Sequence, residues 1–243
     1  MFSRGAGADR IAYFSDAVFA IAMTILVVDL RIPDGATDVW QVLQAEWPSY
    51  FAFALSFVII ALAWVSHHRR FRWVREHDTG LIWINLALLF FIVSVPFPTA
   101  LLAEFGDQAV AVALYALVVA LIMLMQVVEW TYLYRRRMLD PLVDDALHLQ
   151  VVWAYVPTFT VFVLSIPIAF LVGPQVAMYF WLVQIPLGPI TGRLVNRALD
   201  RRFPDQGPVY GGDRPEPTAD QAVDSQDDET SRESLRSEDT SAS

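Results

Sequence analysis

Long uninterrupted runs of apolar residues constrain this chain more than any other feature. Crossing roughly 30 Å of hydrocarbon takes about 20 consecutive apolar residues wound as an α-helix, because lipid offers no partner to an unpaired backbone N–H or C=O. Runs of that kind recur near residues 11–30, 49–67, 80–102, 108–132, 150–171 and 175–197. They predict an all-α membrane protein with six transmembrane helices, residues 1–203 forming one transmembrane domain. Of the 243 residues 56% are hydrophobic, gathered in these blocks rather than spread along amphipathic segments, so an ordinary soluble core is excluded. Pro157 and Pro167 in the fifth run, and Pro186 and Pro189 in the sixth, lack backbone donors and are expected to kink those helices. The first run carries Asp16 and has no small-residue cleavage site after it, so a retained helix is expected rather than a cleaved signal.

Orientation follows from the arginines, which are the only fixed side-chain cations because lysine is absent. Arg4 and Arg10 precede the first helix; Arg69, Arg70, Arg72 and Arg75 follow the second; Arg135, Arg136 and Arg137 follow the fourth; Arg193, Arg197, Arg201 and Arg202 close the sixth. The opposite loops hold Arg31 beside Asp34, Asp38, Glu46, Glu104 and Asp107. Under the positive-inside rule this asymmetry predicts that both termini are cytoplasmic, which an even number of spans satisfies. Residues 204–243 are rich in Pro, Gly, Asp, Ser, Glu and Thr, supply most of the net charge of -9, and are expected to form a disordered acidic tail. Cysteine is absent, which excludes disulfides, thiolate metal sites and Cys nucleophiles.

Polar side chains inside membrane spans are costly, and here several fall at one depth near the cytoplasmic side. Asp16 lies six residues beyond Arg10, His67 and His68 end the second helix, Asn85 sits early in the third, and Glu129 is near the end of the fourth. They can form an interhelical hydrogen-bond network that fixes the first helix, or act as separate groups that snorkel to headgroups. Glu129 can also be neutralised by Arg135 to Arg137. Adjacent histidines point about 100° apart on a helix and cannot chelate one ion together, so neither a metal site nor a cofactor is expected. Trp64, Trp83, Trp130 and Trp153 fit an interfacial aromatic belt. Within the first helix, Ala17, Ile21, Thr24 and Val28 recur at i, i+4, i+7 and i+11 and share a face. Such a face can pack on another helix or line a pore, and packing is the commoner use of that periodicity.

The segment Arg10-Ile11-Ala12-Tyr13-Phe14-Ser15-Asp16 opens the first helix with Arg-x-x-x-Phe-Ser-Asp. This resembles the signature of the transmembrane protein 175 family of potassium channels in its prokaryotic form. The similarity runs on through Ala17 to Leu30, through Trp64, His67, His68 and Arg69, and through Trp83, Asn85, Pro96, Phe97, Pro98, Thr99 and Glu104. Beyond these the later helices match in number and topology rather than in motif. The resemblance implies a homotetramer whose first helices surround a potassium path, with an apolar constriction at Ile21, a hydroxyl layer at Thr24 and Val28 one turn further out. It also implies a structural polar network of Arg10, Phe14, Ser15, Asp16, Trp64, His67, His68 and Asn85. The carbonyl-filter run Thr-Val-Gly-Tyr-Gly of other potassium channels is absent here.

The expected function is therefore a potassium-permeable cation channel of the cell membrane, with K+, the bilayer and copies of itself as partners, and no nucleic acid. A ring of Ile21 side chains would close the path by dewetting it, and Thr24 hydroxyls would replace part of the ion's hydration shell. Asp29, Asp34, Asp38 and Glu46 would either concentrate cations at the outer mouth or be ordinary solvated loop charges. The alternative is a secondary or proton-coupled transporter that uses Asp16 and Glu129 as titrating groups, although no inverted repeat is evident. No Gly-x-Ser-x-Gly, His-Glu-x-x-His or Gly-rich phosphate loop is present, so an enzyme is not expected.

Overall fold

The computed structural model describes residues 6–30, 32, 35 and 37–184. Every regular element among them is helical: α1 (Ala6–Ile25), a 3-10 turn (Leu26–Asp29), α2 (Val39–Ala45), α3 (Trp47–Phe71), α4 (Thr79–Ser94), α5 (Pro96–Phe105), α6 (Ala109–Arg135), α7 (Asp145–Leu171) and α8 (Pro174–Trp181). Five segments of the described chain are long and apolar enough to cross a bilayer, namely Ala8–Val28, Trp47–Phe71, Thr79–Phe105, Ala109–Arg135 and Asp145–Leu171. The chain is a multi-pass membrane protein. Of the sixth expected span, α8 provides the start, and its remainder with Pro186 and Pro189 lies outside the described residues, as does the tail at 204–243.

Three local features depart from the hydropathy pattern. The third span is not one helix, because Pro96 has no N–H to continue the ladder and instead opens α5 at a position where a donor is not required. Val95 turns back through a bond to the Ile92 carbonyl at 3.2 Å, and its own carbonyl receives both the Thr99 N–H at 3.1 Å and the Thr99 hydroxyl at 2.8 Å. α7 by contrast runs unbroken through Pro157 and Pro167, where the sequence predicts kinks, so the one proline that ends a helix within a described span is Pro96. The segment between α1 and α3 carries the short helix α2, started by the Asp38 side chain, which accepts from the Trp40 N–H at 3.0 Å.

Apolar burial sets the order of packing. α6 lies against α7, α4 and α5; α3 against α5 and α1; and α1 also against α4. Phe19, Ile60, Leu81, Leu88, Ile92, Ile122 and Trp130 belong to the cluster that joins α1, α3, α4 and α6. A second cluster, with Val112, Tyr115, Ala116, Phe162, Ala177 and Trp181, joins α6 to α7 and α8. Within it the Tyr115 hydroxyl meets Ser56 at 3.0 Å, and Ser56 meets Thr99 at 2.7 Å, so each buried hydroxyl has a partner.

At the arginine-rich end the loops after α3 and α6 are zipped together. Val74 and Leu139 form an antiparallel bridge, the Arg75 N–H donates to the Met138 carbonyl at 2.9 Å, and the Asp140 N–H donates to the Trp73 carbonyl at 2.8 Å. The Arg75 guanidinium meets the buried Asp140 carboxylate at 3.0 Å. α6 ends with Arg137 in the left-handed region at φ 57°, the Arg137 N–H bonded to the Tyr134 carbonyl and the Met138 N–H to the Leu133 carbonyl. That bond pair is a Schellman motif, built here on a residue with a side chain.

Candidate functional site

The two faces of α1 have opposite fates. Ser15, Phe19, Ala22 and Leu26 are buried against α3 and α4, at the helical spacing that keeps them on one side. Ala17, Ala20, Ile21, Thr24, Ile25 and Val28 are exposed within the subunit, Ile21 by 56% and Val28 by 70%. The Thr24 hydroxyl donates to the Ile21 carbonyl at 2.9 Å, so its oxygen lone pairs are left facing outward.

Beyond Ile25 the winding tightens to the 3-10 form. The 3-10 step is about 120° per residue against about 100° in an α-helix, which turns Val28 toward the azimuth of Ile25. Ile25, one helical turn beyond Ile21, lies on the exposed face as well, although the sequence did not single it out.

The buried face is held by side-chain hydrogen bonds. The Asn85 Nδ2 donates to Ser15 Oγ at 2.9 Å, and Ser15 Oγ reaches the Ile11 carbonyl at 2.9 Å. His67 Nε2 meets Asn85 Oδ1 at 3.1 Å; a carbonyl oxygen only accepts, so Nε2 carries the proton in this bond. The His67 ring stacks on Phe71 at 4.2 Å and abuts Phe19 at 5.5 Å. Nearer the surface, the Trp64 indole N–H donates to Asp16 Oδ1 at 2.8 Å, and the Trp64 ring lies 5.6 Å from that of His68.

The structure thus links Ser15 to Asn85 and His67, and Asp16 to Trp64. Arg10, Phe14 and His68 are exposed within the subunit and take no part in those hydrogen bonds. Their positions on α1 and α3 turn them away from the faces that meet, as a helix requires of residues one or two places from a buried one. Asp38 is occupied in capping α2, and Glu46 accepts from the Ser49 hydroxyl at 3.0 Å. Asp34 and the Asp29 side chain lie outside the described residues.

One charged residue sits where the sequence alone did not place it. Arg70, grouped above with the flanking arginines, turns inward one helical turn beyond His67 and is only 5% exposed. Its Nη2 lies 3.4 Å from Glu129 Oε2, so the partner of Glu129 is Arg70 and not Arg135 to Arg137. Arg70 also bonds the side chain of Gln126 at 2.9 Å and the Gln126 carbonyl, and its guanidinium lies 5.5 Å from the Tyr155 ring. Gln126 and Tyr155, both buried, were not legible as polar partners, since each stands alone in an apolar run.

Comparison with known proteins gives the same picture. The family model described as the endosomal/lysosomal potassium channel TMEM175 matches residues 10–96. A potassium channel of Streptomyces collinus is 43% identical over 142 residues, which is 56% of this chain and 69% of that protein. The human endosomal/lysosomal proton channel TMEM175 is 26% identical over 137 residues, covering 51% of this chain and 27% of that one. The crystal structure of a lysosomal potassium-selective channel TMEM175 homolog from Chamaesiphon minutus superimposes with a TM-score of 0.63 at 30% identity, over 79% of this chain and 100% of that one. Helix order, the anchored first helix and these matches lead to one conclusion: the chain belongs to the TMEM175 family.

Proposed function

We propose that this chain forms a potassium-permeable cation channel. Four copies assemble with six spans each and both termini in the cytoplasm, and the path runs along the Ile21, Thr24 and Val28 face of α1. The observation that carries this reading is the asymmetry of α1: one face is fixed by buried hydrogen bonds, and the other, apolar with one outward-facing hydroxyl oxygen, is left exposed by the described residues. Ala17 and Ala20 keep that face narrow, which suits close approach of identical helices. The relatives named as potassium channels support the same reading.

In this arrangement Ile21, with Ile25 beside it, is the constriction, and water leaves a ring that narrow unless the helices shift apart. Thr24 oxygens, whose protons are directed to the Ile21 carbonyls, offer lone pairs to a partly dehydrated cation. A smaller ion costs more to dehydrate, so the layer favours potassium over sodium. No carbonyl filter is required. Six spans give the even number that the arginine distribution demands.

Purified protein in planar bilayers tests the reading. Discrete unitary steps with a potassium-selective reversal potential are expected, and Ile21→Asn raises the unitary current by placing amides where water is otherwise lost. Saturable flux without steps identifies a carrier instead. An Ile21→Asn channel with unaltered current and selectivity, while substitutions on another helix alter both, places the path elsewhere.

A further inference from the structure

The Glu129 carboxylate is buried in the fourth span with its two oxygens in different situations. Oε2 is 3.4 Å from the Arg70 guanidinium, whereas Oε1 has no hydrogen-bond partner and lies 3.8 Å from His67 Nε2. The same Nε2–H is held by Asn85 Oδ1 at 3.1 Å, and Asn85 in turn holds Ser15 on α1. One proton donor therefore faces two acceptors. Asn85 has it, and an unsatisfied carboxylate oxygen waits less than an ångström beyond bonding range. An acceptor buried without a donor is costly, and a charged one more so, which favours any shift that brings the His67 N–H across.

What keeps Glu129 back is its hold on Arg70, and Arg70 is positioned from the fifth span. Gln126 accepts from Arg70 Nη2 at 2.9 Å and, through the same Oε1, from the Tyr155 hydroxyl at 2.9 Å. Tyr155 Oη also bonds the Ser66 hydroxyl, and Arg70 Nε bonds the Ser66 carbonyl at 3.3 Å, which ties α7 to α3 at that level. Tyr155, Gln126, Arg70, Glu129, His67, Asn85 and Ser15 are each less than a tenth exposed. α7 packs on α6 and α8, and α1 on α3 and α4. The polar chain is thus a bridge between helices on opposite sides of the subunit.

We propose that Glu129 is a rival acceptor for the His67 N–H, and that Tyr155 and Gln126, by positioning Arg70, decide whether His67 stays on Asn85 and keeps α1 anchored. These are positioning residues for the first helix. Physical coupling between distant helices needs an element with two discrete arrangements, and the His67 N–H with its two acceptors is one. Where α1 lines the ion path, which rests on the channel reading above, the fifth span thereby sets how long the path stays open without touching it.

Hydrogen exchange of α1 in the intact protein tests this independently of conduction. Tyr155→Phe removes one hydroxyl and no apolar volume, and amide exchange across residues 11–20 is expected to rise about threefold or more as the anchor is released more often. In an Asn85→Ala background, where His67 has no hydrogen-bonded link to α1 and only its ring contact with Phe19 remains, the same substitution adds nothing. Ser66→Ala probes the link from α3 and supplies the measurement if Tyr155→Phe fails to assemble. Unchanged exchange in both variants, or an equal increment with and without Asn85, overturns the proposal. Bilayer recordings of Tyr155→Phe add the second arm: altered open dwell times with wild-type reversal potential are expected, and wild-type dwell times count against the coupling. Absence of current from the wild type refutes the channel reading alone and leaves the exchange result standing.

Discussion

Trp64 hands its indole N–H to Asp16 across 2.8 Å, on the rim of the anchor that holds α1 to α3. The bond is only partly buried and lies beside the sealed Ser15 and Asn85 pair rather than belonging to it. Asp16→Ala leaves a partly buried indole donor unpaired and is expected to cost roughly 1 to 3 kcal/mol, read as a lower melting temperature of the assembled protein in detergent. Asp16→Asn keeps an acceptor at the same place and recovers most of the loss. Equal melting of all three proteins removes the bond from any account of stability.

Thr24 offers a cleaner separation of selectivity from conduction. Thr24→Val keeps the side-chain volume and removes the outward-facing oxygen, so conduction persists while the preference for potassium over sodium weakens. Reversal potentials under mixed ions measure this directly, and Thr24→Ser, which restores the oxygen, regains the preference. An unchanged reversal potential in Thr24→Val assigns selectivity to other residues.

Gly80 makes room for a link between the start of α4 and the end of α6. A methyl group on Gly80 would collide with the Tyr132 phenol, which donates to Asp78 at 2.7 Å. Asp78 also caps α4 by accepting from the Leu81 N–H at 2.8 Å. The Tyr132 hydroxyl above all, then the Leu81 N–H and the Arg136 charge, hold the Asp78 carboxyl below its ordinary value. Stability gained this way is present above the ordinary carboxylate pKa of about 3.9 and is lost as pH falls through the depressed value of the folded state. Gly80→Ala and Tyr132→Phe therefore melt below wild type at neutral pH, and the gap closes on acidification below about pH 4. A gap that stays constant with pH shows that packing rather than Asp78 is responsible.

Arg137 occupies the left-handed backbone region that ends α6, at φ 57°. A side chain there costs roughly 1 kcal/mol that glycine avoids. Arg137→Gly is expected to raise the melting temperature without changing the bonds from the Arg137 and Met138 amides. A lower melting temperature would mean that the Arg137 side chain supplies more than its backbone strain removes.

Hydropathy located the helices because a spanning helix must be apolar along its whole length, whatever it packs against. It missed the break at Pro96, while Pro157 and Pro167, where kinks are expected, sit inside an unbroken helix. The outcome turns on whether neighbouring residues re-satisfy the freed carbonyls, which residue type does not encode. Asp16, His67, Asn85 and Glu129 stood out as polar intrusions, and Ser15 came only with the family motif, but their pairing is set by helix rotation. Arg70 was hidden for the opposite reason: an arginine at the end of a span reads as a flank, and only the helix face shared with His67 turns it inward. The exposed face of α1 was legible as a periodicity, and Ile25, one turn beyond Ile21, belongs to it although the series of Ala17, Ile21, Thr24 and Val28 passes it by.

The bond between Ser15 and Asn85 closes a loop of 70 residues, which gives it a place in the order of synthesis. While the first helix enters the bilayer its partner has not been made, and a bare hydroxyl in hydrocarbon would resist insertion. Ser15 meets that interval by bonding the Ile11 carbonyl of its own helix at 2.9 Å, a contact it keeps in the finished protein. The serine thus arrives already quiet, and Asn85, entering later on α4, needs only to add its amide to an oxygen that still has room to accept. A residue at this position without a self-satisfying hydroxyl would have to wait in the membrane unpaired until the third span had been threaded.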